Sequence, residues 1–277
     1  MMGTGPFEKL AVIAGAGALP GLLLKARPDA LLVRVSGVPV EVQSGSTLAA
    51  RFERLGALFD DLHVAGVTEI VFAGAMNRPA LDPAEFDEVT LGLAPRIMAA
   101  LGGGDDGLLR MIIGIFEDQG FRVVGAHDVI PDLTVPAEKL TDTNPAKRDQ
   151  EDALRGWQIL EALGPQDVAQ ACVVAGGVCF GIETIQGTDK LLQFVADTRA
   201  GLRPGSGGVL VKRAKPGQDL RIDMPTIGPA TVAGAASAGL SGICIEAGSV
   251  LVPDRDEVIA RADAARIALW AIAGQEP

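Results

Sequence analysis

The sequence predicts an α/β protein of two α/β domains, the first a Rossmann-like, mostly parallel sheet and the second a smaller, mixed α/β domain. Three observations predict it. Short apolar runs alternate with helical patterns as far as Ala126, the signature of parallel strands joined by crossover helices. A stretch rich in Pro, Thr and Asp, residues 131–148, then breaks the alternation. Beyond it, a glycine-turned hairpin and several short strands form a second set. These divisions place the domains at residues 1–133 and 149–277, with a linker at 134–148.

The first strand is the apolar run 10–14, which enters the glycine turn GAGALP (15–20) and a helix ending near Arg27. The longer run 10–24 resembles the core of a signal peptide, but Glu8 precedes it and Gly15, Gly17 and Pro20 interrupt it. A glycine turn before a helix either leaves backbone N–H groups free for an anion or is a plain tight turn. Pro20 stands where a dinucleotide fingerprint has a small residue. The next strand, 30–35, ends at Ser36 and not at a ribose-binding acid. Both features count against a nicotinamide cofactor.

Leu48, Phe52, Leu55, Phe59 and Leu62 recur at helical spacing and predict a core-facing helix over 47–65, with His63 near its end. The strand 67–73 leads into GAMNRP (74–79), where Asn77 and Arg78 are either ligand contacts or ordinary loop residues. A helix over 84–101 ends in GGGDDG; Asp105 or Asp106 caps the helix 108–119 or meets a metal or sugar hydroxyl. The strand 121–126 closes this half.

A helix over 149–163 opens the second half, with Trp157 as a packing residue. Residues 173–185 read as a hairpin turning at Gly176 and Gly177. It delivers ETIQGTDK (183–190), in which Thr188 or Asp189 caps the next helix and Gly187 lets an anion approach its start. Glu183 points toward the same place or is solvated. A strand at 209–211 precedes the charged stretch taken up below. Then come a helix over 226–239, strands at 242–246 and 249–252, and a terminal helix with Val258, Ile259, Ala262, Leu269 and Trp270 inward. The uncharged run 227–245 consists largely of small residues and reads as a buried helix and strand, not a membrane span.

Composition narrows the function. A formal net charge of −11 disfavours nucleic acid as a partner, so an anionic ligand needs a local basic patch. The three cysteines lack metal-ligand spacing and read as reduced core residues of a cytoplasmic protein. With only two histidines, neither in a motif, a histidine-based triad is disfavoured.

The basic patch is KRAKPGQDLRIDMPTIG (212–228), which gathers Lys212, Arg213, Lys215 and Arg221. From 219 to 224 the residues alternate, which predicts a strand with Asp219, Arg221 and Asp223 on one side and Leu220, Ile222 and Met224 on the other. Cations suit a phosphate, and spaced carboxylates suit a divalent cation or a general base. The alternative is an edge strand with a solvated, salt-bridged face.

IAGAGALP (13–20), ETIQGTDK (183–190) and KRAKPGQDLRIDMPTIGPATV (212–232) together resemble the LpxI-type UDP-2,3-diacylglucosamine pyrophosphatases. GAMNRP and GGDDGLLR (103–110) fit the same pattern in order. The resemblance implies a cytoplasmic bacterial enzyme of lipid A biosynthesis. Its reaction hydrolyses the pyrophosphate of UDP-2,3-diacylglucosamine to UMP and lipid X, with Mg2+ or Mn2+ as cofactor and water attacking on the uridine side. It also implies a substrate held between two domains, the N-terminal one nucleotide-binding-like and the C-terminal one catalytic. The family's essential aspartate falls on Asp223.

On this basis Asp223, Asp219, Arg221 and Lys212 are expected to be catalytic, with Asp223 and Asp219 binding the metal. Gly15, Gly17, Leu19, Pro20, Asn77 and Arg78 are expected substrate contacts of the first half. Gly187, Thr188, Asp189, Lys215, Gln218 and Thr226 are those of the second. A peripheral position at the membrane surface and a homodimer are compatible with this reading. The rival classes are a nicotinamide-dependent sugar-nucleotide oxidoreductase and a non-catalytic nucleotide- or lipid-binding protein.

Overall fold

The computed structural model describes residues 9–76, 80–101, 105–198, 202 and 207–274. Two compact units emerge. One runs up to Pro131 and includes Arg221–Asp223; the other comprises Asp132–Leu220 and the chain from Met224 onward.

Among the described residues, the first unit carries a five-stranded sheet of order β3-β2-β1-β4-β5. Its strands are β1 (Leu10–Ala14), β2 (Leu31–Val35), β3 (Thr47–Ala50), β4 (Glu69–Ala73) and β5 (Arg122–Val124), and every pairing is parallel. All five residues of β1 are buried, because helices cover both faces of a parallel sheet and leave its central strand no wet side. The helices are α1 (Leu19–Ala26), α2 (Leu55–Val64), α3 (Glu88–Leu101), α4 (Asp105–Asp118) and the single turn α5 (Ala126–Val129). Ile13, Val33, Leu62, Ile70, Ile113 and Phe116 belong to one core cluster, and Ile222 packs against it. His63, in the last turn of α2, stacks on Phe121 at 4.6 Å.

The helix expected over 47–65 is corrected. Residues 47–50 form β3, paired with β2, and α2 begins only at Leu55. The start of α2 is fixed from elsewhere in the chain. The Leu55 amide donates to Thr90 Oγ1 at 2.8 Å and the Ala57 amide to Asp87 Oδ2 at 3.1 Å. Burial pushes the Asp87 carboxyl up, but bonds from the Thr90 hydroxyl and the amides of Thr90, Ala57 and Gly56 outweigh it and hold the group below its ordinary value. Asp106 lies inside α4, where it pairs with Arg110 rather than capping the helix.

The second unit has its own five-stranded sheet among the described residues, of order β10-β9-β8-β6-β7. The strands are β6 (Ala171–Ala175), β7 (Val178–Ile182), β8 (Val209–Lys212), β9 (Gly242–Glu246) and β10 (Ala268–Ile272). β6 and β7 form the expected hairpin; Gly176 and Gly177 both take positive φ, 57° and 77°, as its two-residue turn requires. Asp152 fixes this turn by accepting both glycine amides, at 2.8 and 2.6 Å. Asp152 sits on α6 (Lys147–Leu163), which buries Trp157 against the sheet. The opposite face packs against α7 (Gly187–Ala196), α8 (Pro229–Ser237) and α9 (Arg255–Ala264) through Leu191, Val195, Val232 and Val258.

Four expectations change in this unit. Leu269 and Trp270 lie in strand β10, not in the terminal helix, which ends at Ala264. Residues 249–252 form no strand; Leu251 makes a single bridge to Thr226. The stretch expected as a linker is folded into the unit: Val135 is in its core and the Leu140 amide donates to Leu269 O at 2.9 Å, covering the β10 edge. Cys179 is exposed on β7, whereas Cys172 and Cys244 are the buried core thiols that the sequence predicts.

The most consequential correction concerns residues 219–224, which form turns and irregular chain and pair with no strand. Pro216 and Gly217 (φ 75°) make a tight turn that Gln218 clasps: its side-chain Oε1 accepts the Lys215 amide at 2.9 Å. Further on, the Leu251 amide donates to Pro225 O at 2.8 Å and the Ile227 amide to Leu251 O at 2.9 Å. The segment is therefore a loop held at both ends, and its alternation does not sort its residues onto two faces.

Candidate functional site

β8 and β9 run parallel, β6 runs against β8, and β7 runs against β6, so β7, β8 and β9 all end on one side of the second sheet. Three chain segments leave the sheet there, each with a charged residue. Glu183 follows β7, Lys212 ends β8 with Arg213 next, and Glu246 ends β9. Ligands of α/β proteins gather at such carboxyl ends.

Lys212 is buried, its side chain 8% exposed, beside Glu183 at 12%. Its Nζ donates to Thr188 Oγ1 at 2.6 Å, and the Thr188 hydroxyl donates to Glu183 Oε1 at 2.5 Å. Lys212 Nζ stands 3.8 Å from the same carboxylate oxygen. The other oxygen of Glu183 accepts the Gln170 amide at 3.3 Å. Thr188 thus sits inside the first turn of α7 and bridges two charges. The residue before the helix is Gln186, whose side chain caps nothing, and Asp189 is exposed on the same turn. Gly187 takes φ 82° with open space where a Cβ would stand.

Arg213 lies beside this group. Its guanidinium stacks 4.3 Å over Trp157 and comes within 3.6 Å of Glu246 Oε1. Glu246 Oε2 accepts the Ala214 amide at 3.1 Å. Burial raises the Glu246 carboxyl, and Arg213 opposes that rise without cancelling it. The sequence reading named Arg213 only as part of the patch and missed Glu246. Its signal was a lone acid ending a buried apolar strand.

The expected basic patch is not a group of free cations. Lys212 faces Glu183, Arg213 faces Glu246, Lys215 pairs with Asp167, and Arg221 bonds Glu117 at 2.7 Å. Each partner lies far away in sequence, which is why charge counting along the segment overstated it. Asp219 and Asp223 are half-buried, and Thr226 is exposed with its hydroxyl on Met224 O at 3.2 Å. Asp223 and Arg221 cluster with the first unit; Asp219, Lys215, Gln218 and Lys212 belong to the second. Among the described residues, no three His, Cys, Asp or Glu side chains are grouped to hold a metal ion.

In the first unit, the carboxyl ends of β1 and β4 are tied together. The Gly15 amide donates to Ala73 O at 2.6 Å, and Ala16 and Ala75 exchange two backbone bonds of 2.8 and 2.9 Å. A Cβ on Gly15 would stand 2.6 Å from Ala75 O. Gly15 is therefore required for the approach of two loops, a reason the phosphate reading did not include. Gly17 takes φ 100°, and Leu19 and the buried Pro20 begin α1. Asn77 and Arg78 lie outside the described residues.

Two α/β units, one with a paired cluster of charges at the carboxyl ends of its strands, define a two-domain α/β protein with a candidate ligand site. Residues 9–133 match the LpxI N-terminal domain and residues 136–270 the LpxI C-terminal domain. The chain is 36% identical over 274 residues to the UDP-2,3-diacylglucosamine pyrophosphatase LpxI of Caulobacter vibrioides, covering 92% of this chain and 94% of that protein. The chain belongs to the LpxI family.

Proposed function

We propose that this protein hydrolyses the pyrophosphate of UDP-2,3-diacylglucosamine, releasing UMP and lipid X for lipid A synthesis. The observation that carries the reading is the 36% identity to a protein of that name, spread over 92% of the chain and over both family domains. Water adds to the uridine-side phosphorus, the bridging P–O bond breaks, and the sugar phosphate leaves.

The residues present suit a divalent cation. Asp219 and Asp223 offer carboxylate oxygens, the donors Mg2+ and Mn2+ prefer. Mg2+ is commonly held by one or two carboxylates with substrate phosphates and water, so a preformed cluster of three is not required. When bound, the cation neutralises phosphoryl oxygens and makes water a better nucleophile. Asp223 either holds that cation or orients the attacking water. Lys212, anchored in the second sheet, supplies positive charge to the phosphates. No described helix is long and apolar enough to cross a membrane. The two acyl chains of the substrate favour a bilayer, so on this reading the protein meets its substrate at the membrane surface.

Chelation tests the reading. EDTA is expected to abolish turnover and Mg2+ or Mn2+ to restore it; in water enriched in heavy oxygen, the label is expected in UMP. Full turnover after exhaustive chelation would remove the metal from the account, and label in lipid X would reverse the point of attack.

A further inference from the structure

We infer that Glu183 is a positioning residue for Lys212, acting through the Thr188 hydroxyl. The inference rests on the hydrolase reading, in which Lys212 faces the phosphates.

A buried ammonium is costly unless its hydrogens and charge are answered. Here the answer has a direction. Thr188 has one hydroxyl proton, and it goes to Glu183 Oε1 at 2.5 Å; a lone pair is left to accept from Lys212 at 2.6 Å. An ionised carboxylate only accepts, so Glu183 at the end of the chain fixes the polarity of both bonds. Glu183 is itself held by backbone: its amide donates to Ala171 O at 2.8 Å and its Oε2 accepts the Gln170 amide at 3.3 Å. This chain of bonds ties the ammonium to the edge of the β6–β7 hairpin and to the first turn of α7. The carboxylate stands 3.8 Å from the ammonium, close enough to compensate its charge and outside hydrogen-bonding distance. That spacing makes the threonine a relay.

A cation that meets a transferring phosphoryl group must be held within a fraction of an ångström, and a 1 Å displacement costs on the order of a hundredfold in rate. Glu183→Gln keeps the shape but offers an amide that can donate to Thr188, which reverses the chain and turns the hydroxyl proton toward Lys212. Glu183→Gln is therefore expected to lower kcat by about tenfold to a hundredfold, with KM and the thermal midpoint little changed.

A double-mutant cycle on the full chain tests this with UDP-2,3-diacylglucosamine and Mg2+. In a Lys212→Met background, Glu183→Gln is expected to cost less than about twofold, because the group it positions is gone. Equal losses in both backgrounds, or losses that follow the thermal midpoint, would overturn the inference. If Lys212→Met leaves too little activity to measure, Thr188 decides. Thr188→Val should match the loss of Glu183→Gln and Thr188→Ser should recover most of it; wild-type kcat in Thr188→Val overturns the relay. A wild-type chain without turnover would refute the hydrolase reading and this inference with it. An active wild type with uncoupled losses refutes the Glu183 assignment alone.

Discussion

Asp223 is held by its neighbours and not by a strand ladder. Ile222 packs against the first core, Arg221 bonds Glu117 at 2.7 Å, and Pro225 receives the Leu251 amide. Removing the carboxylate leaves these anchors intact. Asp223→Ala is thus expected to fold normally, lower kcat by about a hundredfold or more, and trap intact substrate. A folded variant keeping more than about a tenth of normal kcat would show that Asp223 is not catalytic. The cysteines give a second test. Burial raises the Cys172 thiol and pushes the Cys244 thiol up to about 12, while Cys179 is exposed. A thiol reagent on the native protein is expected to modify Cys179 alone at neutral pH; rapid labelling of all three sites would contradict the buried positions. At this scale the sequence showed which residues carry charge but not which charges meet. Glu183 and Lys212, Arg213 and Glu246 are brought together only by sheet order.

Among the elements, the strands written as largely apolar runs were legible, β1, β2, β4 and β9 among them, as was the hairpin turn at Gly176 and Gly177. The misread elements share a cause. Leu48 and Phe52 fit a helical stripe, yet α2 starts where Thr90 and Asp87 supply its caps, bonding amides 35 and 30 positions away. Leu269 and Trp270 fit a helix, but β10 is created by β9 on one side and by residues 138–140 on the other. Thr90→Val leaves the Leu55 amide and the Asp87 carboxylate short of a partner and is expected to cost about 1–3 kcal/mol in denaturant unfolding. The sign of the pH dependence follows from Asp87, whose carboxyl is held below its ordinary 3.8. Its contribution is fully present above that value and is lost as pH falls through the lower, folded one. Asp87→Asn should therefore destabilise the protein at neutral pH and lose that effect in acid; a difference independent of pH would contradict the cap.

For the whole molecule, the sequence revealed two α/β sheets because each is written as its own series of apolar runs. It did not reveal that Arg221–Asp223 cluster with the first unit while the residues on either side belong to the second, since local alternation says nothing about which core an isoleucine joins. The most direct test of the central claim is the identity of the products. Purified protein with UDP-2,3-diacylglucosamine and Mg2+ is expected to yield UMP and 2,3-diacylglucosamine 1-phosphate in equal amounts by mass spectrometry. Intact substrate, or UDP with the free diacylated sugar, would contradict it.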